Sequence, residues 1–408
     1  MFSIQHPSIL SCLKELESGF QPVFVKSEGV FSLLVKVPKE MILTARLNQQ
    51  FKVYFVPQQN VSNVSIGVIT AFFDDLDEPL VLFTPLYADD ALLVDLSAVL
   101  GQESFDLYFF DEHDREWLGV NAHVENVEHL QEAFRSTHFP DFRESAIGST
   151  LSAMKDWFEQ RVTEDDEKAF LVQFNTTLYP YDLMIFDTRP SAYDFYGAKD
   201  NPAITTLERD EPGAFQERDI VRLLRRSFPG ESIFLNPIRT DTGRELSDIL
   251  CLTEYILLLV QAKDSPNNEA ILRRSLDRKR AIIQSHIEKG SRQLHGALSY
   301  VRGREEVEFN TTSGVHRLVI SERLFFGLII VREIFDNDRL ASSAPVLDVA
   351  RKLNTPCVLL DYFEMHAMTL NLGSPIRLLN GLSRLFEAAL KYNEYPKQRF
   401  LGQASTTD

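Results

Sequence analysis

The chain has few cysteines and no long apolar run. Only three of its 408 residues are cysteine, and Cys12, Cys251 and Cys357 lie far apart. Secreted disulfide-rich domains carry an even set of closely spaced cysteines, so the sequence predicts a reduced, cytoplasmic protein. No segment approaches the roughly 20 apolar residues that a transmembrane helix requires. The first residues lack the pattern of a secretory signal. We therefore expect a cytoplasmic location and no membrane partner.

The signatures of several common enzyme classes are also missing. The nine histidines are scattered and show no zinc-ligand spacing. The sequence has no glycine-rich phosphate loop ending in Lys-(Ser/Thr) and no dinucleotide fingerprint. It also has no Gly-x-Ser-x-Gly nucleophile elbow. These absences argue against nucleotide-driven, nicotinamide-dependent and serine-hydrolase chemistry.

Acidic charge dominates the chain, but it is unevenly distributed. The formal net charge is −17; residues 1–200 carry 32 acidic and 14 basic residues, and residues 201–408 carry 27 acidic and 28 basic residues. The acidic first half would repel a nucleic acid, so we expect it to bind a protein partner or a second copy of itself, as in a homo-oligomer. The nearly neutral second half is compatible with a phosphate-rich ligand.

The pattern of apolar residues, turns and charges divides the chain into four segments. Residues 1–125 alternate extended runs with turns, which predicts a β-rich domain for recognition, regulation or oligomerisation. Residues 126–205 are predicted to be helical and to end in a linker, since residues 187–212 are rich in Pro, Asp, Gly and Tyr. Residues 206–395 alternate helices and strands, which predicts an α/β core with a mixed central sheet flanked by helices. Residues 396–408 form a polar tail.

Asp248, Gln261 and Lys263 lie at the open end of a predicted β-hairpin. If Glu254 and Tyr255 form its two-residue turn, the numbers of facing residues sum to 509, and Asp248 lies opposite Gln261. Side chains alternate along a strand with period two, so Lys263 shares a face with Gln261. One carboxylate, one amide oxygen and one ammonium therefore converge. Oxygen ligands of this kind bind hard divalent cations, and a nearby lysine suits metal-assisted hydrolysis.

This arrangement resembles the Mrr-type branch of the PD-(D/E)XK nuclease superfamily, in which glutamine replaces the second acid. The family pattern is a helix with a glutamate, a strand, a strand with an aspartate, a strand ending in (Asp/Glu/Gln)-x-Lys, and a long helix. Glu217, Asp248 and Gln261-Ala262-Lys263 match this order within residues 206–303.

The resemblance implies a restriction-endonuclease-like core. Glu217, Asp248 and Gln261 would bind Mg²⁺, with Mn²⁺ as a substitute, and Asp248, Gln261 and Lys263 would form the catalytic set. Gln261 brings no charge, so the site suits one ion better than two. The implied activity is endonucleolytic cleavage of double-stranded DNA, in the manner of a prokaryotic defence protein. Two alternatives stay open: a nuclease for RNA or single-stranded DNA, and a catalytically silent binding or scaffold protein that keeps the fold.

Glu217 also has a structural explanation. It lies on the apolar stripe of a helix predicted over Pro212–Phe228, where an unpaired carboxylate is costly. A metal ion or a lysine would stabilise it there. Alternatively, it reaches water at the edge of the stripe or pairs with Arg218 or Arg225.

Asp248 and Lys263 have structural alternatives as well. Asp248 interrupts an apolar strand, where aspartate is uncommon, and it could pair with Arg244 or Lys263. Lys263 could merely end its strand. Glu245 precedes Asp248 by three positions, so strand alternation predicts that it points to the opposite face, and it is the weaker ligand candidate.

A basic cluster follows the hairpin on one long helix predicted over Asn268–Val301. Seven cations in this region could contact a phosphate backbone: Arg273, Arg274, Arg278, Lys279, Arg280, Lys289 and Arg292. A solvated helix surface is the alternative. Gln293 matches the position from which family members often bring a polar residue into the site, although it could be an ordinary exposed glutamine.

Overall fold

Helices and strands alternate through both halves of the described chain. The protein is represented by a computed structural model that describes residues 1–25, 29–59, 61–75, 78–198, 203–210 and 212–398. It divides into two compact units. The first comprises Met1–Leu183 with Asn267–Arg273, and the second comprises Met184–Pro266 with the described residues from Arg274 onward. Both units contain helices and sheets, so the predicted mixed α/β composition is confirmed.

The first unit is built on one large sheet. Its elements up to Leu183 are α1 (Phe2–Gln5), α2 (Ile9–Glu15), β1 (Gly19–Val25), β2 (Val30–Lys36), α3 (Lys39–Asn48), β3 (Gln50–Pro57), β4 (Ser65–Phe72), β5 (Leu80–Pro85), α4 (Ala91–Leu100), β6 (Phe105–Phe110), β7 (Glu116–Val124), α5 (Val127–Ser136), α6 (Ile147–Glu159), α7 (Thr163–Lys168) and β8 (Phe170–Thr177). The eight strands are ordered β1-β2-β6-β7-β8-β3-β4-β5, and β2 and β6 are the parallel pair.

The expected separation near residue 125 does not appear in this unit. β8 pairs with β7 on one side and with β3 on the other, so the chain returns to the middle of the sheet after α5, α6 and α7. Phe170 and Val172 of β8 are buried at alternate positions, which is the period-two pattern of a strand. Residues 126–183 are therefore part of the first unit rather than a separate helical segment.

The second unit is built on a five-stranded mixed sheet. The remaining elements are β9 (Met184–Asp187), β10 (Ala203–Thr206), α8 (Gly213–Leu224), β11 (Ile233–Leu235), β12 (Ile238–Arg239), β13 (Ile249–Leu252), β14 (Ile256–Lys263), α9 (Glu269–Leu272, within the first unit), α10 (Leu276–Val301), β15 (Glu306–Thr311), β16 (Gly314–Val319), β17 (Leu324–Val331), α11 (Arg339–Leu353), β18 (Cys357–Asp361), α12 (Tyr362–Asn371) and α13 (Pro375–Tyr392). The central sheet has the order β11-β13-β14-β17-β18; β12-β15-β16 and β9-β10 form two smaller sheets.

The central sheet is covered by helices because its inner strands are apolar on both faces. β14, β17 and β18 are almost entirely buried, and β14 is parallel to β17 as β17 is to β18. Parallel neighbours need a crossover connection, which α10 and α11 provide. α8 packs on β14 and α12, and α12 packs on β18. The carboxyl ends of β14, β17 and β18 meet at one edge of the sheet, where Lys263 ends its strand.

The structure describes most of the predicted linker and the first residues of the predicted tail. Asp187 forms ion pairs with Arg189 and Arg222 at 2.6 and 3.1 Å, and Arg209 pairs with Asp219 of α8 at 2.7 Å. These buried carboxylates hold the two ends of the predicted linker on the second unit; residues 199–202 and 211 lie outside the described chain. The predicted tail is described only to residue 398, and its remaining residues also lie outside the described part.

One predicted helix is divided into two. The helix expected from Asn268 to Val301 appears as α9 and α10, because Ser275 adopts extended backbone (φ −61°, ψ 150°) and precedes the first turn of α10. Serine is a favoured residue at this position. None of the helices in the described ranges combines the length and apolar character needed to cross a membrane.

Candidate functional site

The predicted hairpin has the predicted register. Ile249 pairs with Val260 and Leu252 with Leu257, so facing residue numbers sum to 509. The Thr253 N–H donates to the Ile256 carbonyl at 2.9 Å, which closes the two-residue turn. Asp248 immediately precedes β13 and therefore stands beside Gln261 at the open end. This part of the candidate site follows from strand periodicity and the turn alone.

Asp248 and Lys263 form a buried ion pair at this open end. Lys263 Nζ lies 2.7 Å from Asp248 Oδ2, and the same oxygen accepts the Ala262 N–H at 2.6 Å. Lys263 Nζ also donates to the Ala262 carbonyl at 2.8 Å and lies 3.4 Å from Gln261 Oε1. Asp248 and Gln261 are only 5% and 2% exposed. Asp248 thus pairs with Lys263 rather than with Arg244, and its Oδ1 accepts no hydrogen bond from a described residue.

Glu217 faces the hairpin from α8. It is half-buried, and Val221 and Leu224, one and two turns further along, are fully buried. The Asn236 side chain donates to Glu217 Oε2 at 3.1 Å. Burial raises the pKa of the Glu217 carboxyl to about 7, although the hydrogen bond from Asn236 opposes this; the charges of Asp248 and Glu245 raise it further, and Lys263 lowers it.

The alternative ion pair for Glu217 does not form with Arg225. That arginine pairs with Asp194 instead. α8 ends at Leu224, four residues before the predicted end, and Pro212 occupies the N-cap rather than the first turn. These shifts at the helix ends leave Glu217 on the predicted face.

Strand alternation does not fix the face on which Glu245 lies. The segment before β13 is not a continuous strand, because Glu245 forms an isolated bridge with Ile238 and the strand begins only at Ile249. Strand alternation therefore does not apply to it. Although the residue is exposed, partial burial of its carboxyl and the charge of Asp248 raise the pKa of Glu245, while Lys263 lowers it. Glu245 thus belongs to the acidic group around Lys263.

α10 contributes a histidine to the surroundings of Lys263. Gly290 packs so closely that a Cβ there would lie 3.1 Å from Ile329 Cγ2 and 3.6 Å from Lys263 Cγ. One turn earlier, His286 is half-buried, and its Nδ1 is buried without a hydrogen-bond partner in the described structure. Burial lowers the pKa of His286, and the charges of Lys289 and Lys263 add to this effect. Gln293, the residue predicted here, is exposed on α10.

The seven predicted basic residues do not form one surface. Arg273 precedes α10 and pairs with Glu269 at 2.7 Å, and Arg274 is half-buried. Lys279 is buried, and Arg280 pairs with Asp338 at 3.2 Å.

Three of the seven cations remain exposed on one side of α10. Arg278, Lys289 and Arg292 have no ion-pair partner among the described residues. Lys289 and Arg292 lie 11 and 14 residues after Arg278, which is about three and four helical turns, so the three side chains are aligned. We call Arg278, Lys289 and Arg292 the basic face of α10.

Sequence reasoning missed Asn236, which links the two acidic residues. Its backbone N–H donates to the Asp248 carbonyl at 2.9 Å, while its side chain donates to Glu217. Asn236 has a left-handed backbone (φ 49°) directly after β11. The available signal was the Asn-Pro pair at residues 236 and 237, which marks a turn but does not identify its partners.

The candidate ligands Glu217, Asp248 and Gln261 fit a hard divalent cation. All three offer oxygen atoms, and Asp248 Oδ1 is not used by the ion pair with Lys263. Two further oxygens, Gln216 Oε1 and Asn236 Oδ1, are buried without a hydrogen-bond partner in the described chain. The ligand oxygens of Glu217, Glu245 and Asp248 do not gather within 4.8 Å of one another. An ion bound by only part of this set would keep several water ligands, as Mg²⁺ usually does.

Comparisons with known proteins give a similarity to solved structures but not to a known sequence family. No family model matches the sequence, and no curated protein matches it. Among solved structures, the chain is similar to the small subunit of the heterodimeric restriction endonuclease R.BspD6I, with 14% sequence identity and a TM-score of 0.23. The similarity covers 45% of this chain and 90% of that subunit. The function proposed below therefore rests on the site geometry of this chain.

Proposed function

We propose that the second unit is a metal-dependent endonuclease that hydrolyses phosphodiester bonds. The observation that carries the proposal is the open end of the hairpin, where Lys263 is bonded to Asp248 beside Gln261, with Glu217 facing them. Two carboxylates, an amide and a lysine follow one another on a helix, at the start of one strand and at the end of the next, and this order also matches the PD-(D/E)XK pattern with its Gln-x-Lys variant. A restriction-endonuclease-like core is part of this proposal.

Mg²⁺, or Mn²⁺ in its place, would be held by Glu217, Asp248 and Gln261. When bound, the ion would polarise the scissile phosphate and favour deprotonation of the attacking water. Gln216 and Asn236 would accept hydrogen bonds from water around it through their unpartnered oxygens. Since Gln261 carries no charge, we propose one ion rather than two.

Lys263 would stabilise the negative charge that develops on the phosphate. Its ammonium is held by Asp248 Oδ2 and the Ala262 carbonyl, so it needs little rearrangement to act. Gly290 leaves room for its side chain at the sheet edge. Asp248 therefore has two roles: one oxygen orients Lys263, and the other is available to the ion.

The basic face of α10 would contact the phosphate backbone. Replacing Arg278, Lys289 and Arg292 together by alanine is expected to weaken binding to duplex DNA about tenfold or more at 100–200 mM salt and to lower the slope of log K against log salt by about three. Fluorescence anisotropy in EDTA would measure binding without cleavage.

A matched control comes from α13, where Arg377, Arg384 and Lys391 are exposed at similar helical spacing. The same triple alanine change there removes equal charge and is expected to alter affinity little. Equal losses in both triple variants would mean that only net charge matters and that the basic face is not a specific contact.

Double-stranded DNA is the proposed substrate, and a role in prokaryotic defence is proposed from the same family resemblance. The first unit, with its acidic composition, would bind a protein partner or a second copy of the chain. The test is cleavage by the purified full chain of duplex DNA, single-stranded DNA and RNA, each with Mg²⁺, Mn²⁺ or EDTA. Asp248→Asn serves as the inactive control and Asp348→Asn, at an exposed ion pair, as its match.

Cleavage of duplex DNA that needs a metal and disappears in Asp248→Asn would support the proposal. Cleavage of RNA or single-stranded DNA alone would change the substrate. Mn²⁺ binding without cleavage of any of the three would favour the silent scaffold. Cleavage that survives in Asp248→Asn would refute the assigned site.

A further inference from the structure

We propose that Asn236 positions Glu217 beside Asp248 and thereby sets how tightly the site holds its divalent cation. This inference rests on the proposed function, because it concerns the same site. Asn236 is bonded to both acidic residues: its N–H donates to the Asp248 carbonyl at 2.9 Å, and its side-chain amide donates to Glu217 Oε2 at 3.1 Å. It acts through these residues and is a positioning residue.

The position of Asn236 follows from the sheet register. Leu235, the last residue of β11, pairs with Ile249, so Asn236, which follows it, stands opposite Asp248. There the backbone turns to a φ of 49°, a left-handed conformation that asparagine tolerates better than most residues. The turn ends the strand and brings the amide to Glu217 on α8. One residue therefore ties a helix to the strand that precedes the hairpin.

Glu217 needs a hydrogen bond that fixes its position, because nearby negative charges and burial both destabilise its carboxylate. Asp248 and Glu245 both raise its pKa through their charges, and burial removes the water that would otherwise stabilise the carboxylate. The hydrogen bond from Asn236 opposes both effects. Without that bond, we expect the Glu217 side chain to turn toward solvent and away from Asp248.

The side-chain oxygen of Asn236 gives independent evidence for a ligand. Asn236 Oδ1 is buried and has no hydrogen-bond partner in the described part of the chain. Buried polar atoms are nearly always paired, with protein or with ordered water. A hydrated cation presents O–H donors of the kind that this oxygen lacks. Asn236 would then hold Glu217 with its NH₂ group and water near the ion with its carbonyl.

Asn236→Gly tests the role of the side chain while keeping the backbone. Glycine adopts a φ of 49° without strain, so the hydrogen bond to the Asp248 carbonyl is retained. Changing a residue that supports a metal ligand typically lowers metal affinity by about 10- to 100-fold. We expect at least a tenfold higher Kd for Mn²⁺, measured by electron paramagnetic resonance, and a matching rise in the Mg²⁺ concentration that half-saturates cleavage.

The rate at saturating Mg²⁺ should change less than the half-saturating concentration. A merely structural role would instead lower the maximal rate and the unfolding temperature and leave the Mn²⁺ affinity unchanged. Asn354→Gly is the matched control, because Asn354 also has a left-handed backbone (φ 44°) and ends α11. That variant is expected to bind Mn²⁺ as the wild type does.

A double variant tests whether Asn236 acts through Glu217. Glu217→Gln alone should weaken Mn²⁺ binding, and adding Asn236→Gly to it should cause little further loss. The Glu217→Gln background also carries no buried charge at position 217, so the double variant remains informative if Asn236→Gly alone folds poorly.

Wild-type Mn²⁺ affinity in Asn236→Gly would overturn this inference and leave the endonuclease proposal intact. Equal losses from Asn236→Gly with and without Glu217 would also overturn it, since the effect would then bypass that residue. Failure of the wild-type chain to bind Mn²⁺ at all would overturn both proposals.

Discussion

Lys263→Met is expected to reduce cleavage at saturating Mg²⁺ by about 100- to 1000-fold, the usual loss when one donor to developing charge is removed. Methionine keeps the chain length that packs on Gly290 but cannot donate to a phosphate. Single-turnover cleavage of duplex DNA would measure the loss. A Lys263→Met protein that cleaves at the wild-type rate would place the chemistry elsewhere in the chain.

Measurements of Mn²⁺ affinity should show whether Lys263→Met slows the chemical step or disrupts the metal site. Lys263→Met removes a positive charge next to Asp248, so its affinity for Mn²⁺ should stay close to that of the wild type or rise. Asp248→Asn should instead lose binding, because the carboxylate is a proposed ligand.

Lys263→Met also leaves the carboxylate of Asp248 buried with one hydrogen bond, from the Ala262 N–H. We therefore expect it to lower the free energy of unfolding by about 1–3 kcal/mol without metal. Lys352→Met is the control, since Lys352 forms an exposed pair with Asp348 and both side chains are more than half exposed. It is expected to affect neither activity nor stability measurably.

Glu217→Gln is expected to stabilise the metal-free protein at pH 8 by about 2 kcal/mol and to weaken metal binding. The pKa of Glu217 is raised to about 7 in the folded protein, so the folded state holds this proton more tightly than the unfolded chain does. Each unit of difference corresponds to about 1.4 kcal/mol, and partial exposure reduces the total.

The direction of the pKa shift of Glu217 determines the pH range over which the stabilities of wild type and Glu217→Gln diverge. Below the ordinary glutamate pKa of about 4.3, Glu217 is protonated in both states and carries no charge penalty. As the pH rises through the folded-state value of about 7, the wild type loses this stability and Glu217→Gln does not. The difference in the free energy of unfolding should therefore grow from pH 5 to pH 8, as measured by urea titration in EDTA.

Adding Mg²⁺ should reverse the order of stability, so that the wild type becomes more stable than Glu217→Gln. A ligand at about 100 times its Kd adds roughly 2.7 kcal/mol to the folded state, so the wild type should gain more than Glu217→Gln when Mg²⁺ is added at pH 8. Glu288→Gln, at an exposed position of α10, should show neither dependence. A pH-independent difference between wild type and Glu217→Gln would contradict the raised pKa of Glu217.

The sequence by itself determined the elements whose signals are local. Period-two alternation and a two-residue turn are short-range properties, so the register that places Asp248 beside Gln261 and Lys263 follows from the order of the amino acids alone. The same holds for Glu217 on the amphipathic α8 and for α13, whose apolar residues recur at helical spacing between Pro375 and Tyr392.

The tertiary structure alone decided the contacts between distant segments. β8 enters the first sheet between strands formed more than 40 residues earlier, and no local pattern specifies that choice. Lys279 is buried and Arg280 is paired because of how α10 packs, so the basic cluster shrinks to Arg278, Lys289 and Arg292.

The candidate site shows the same division. Asn236 meets Glu217 and Asp248 only when α8, β11 and β13 are assembled, and the left-handed turn that directs its amide is stabilised by those contacts. The charge of Glu245, in the irregular segment before β13, likewise acts on Asp248 and Lys263 only in the assembled structure. Backbone periodicity fixes which residues share a face, whereas the desolvation and hydrogen bonds that tune them arise from packing between elements far apart in the chain.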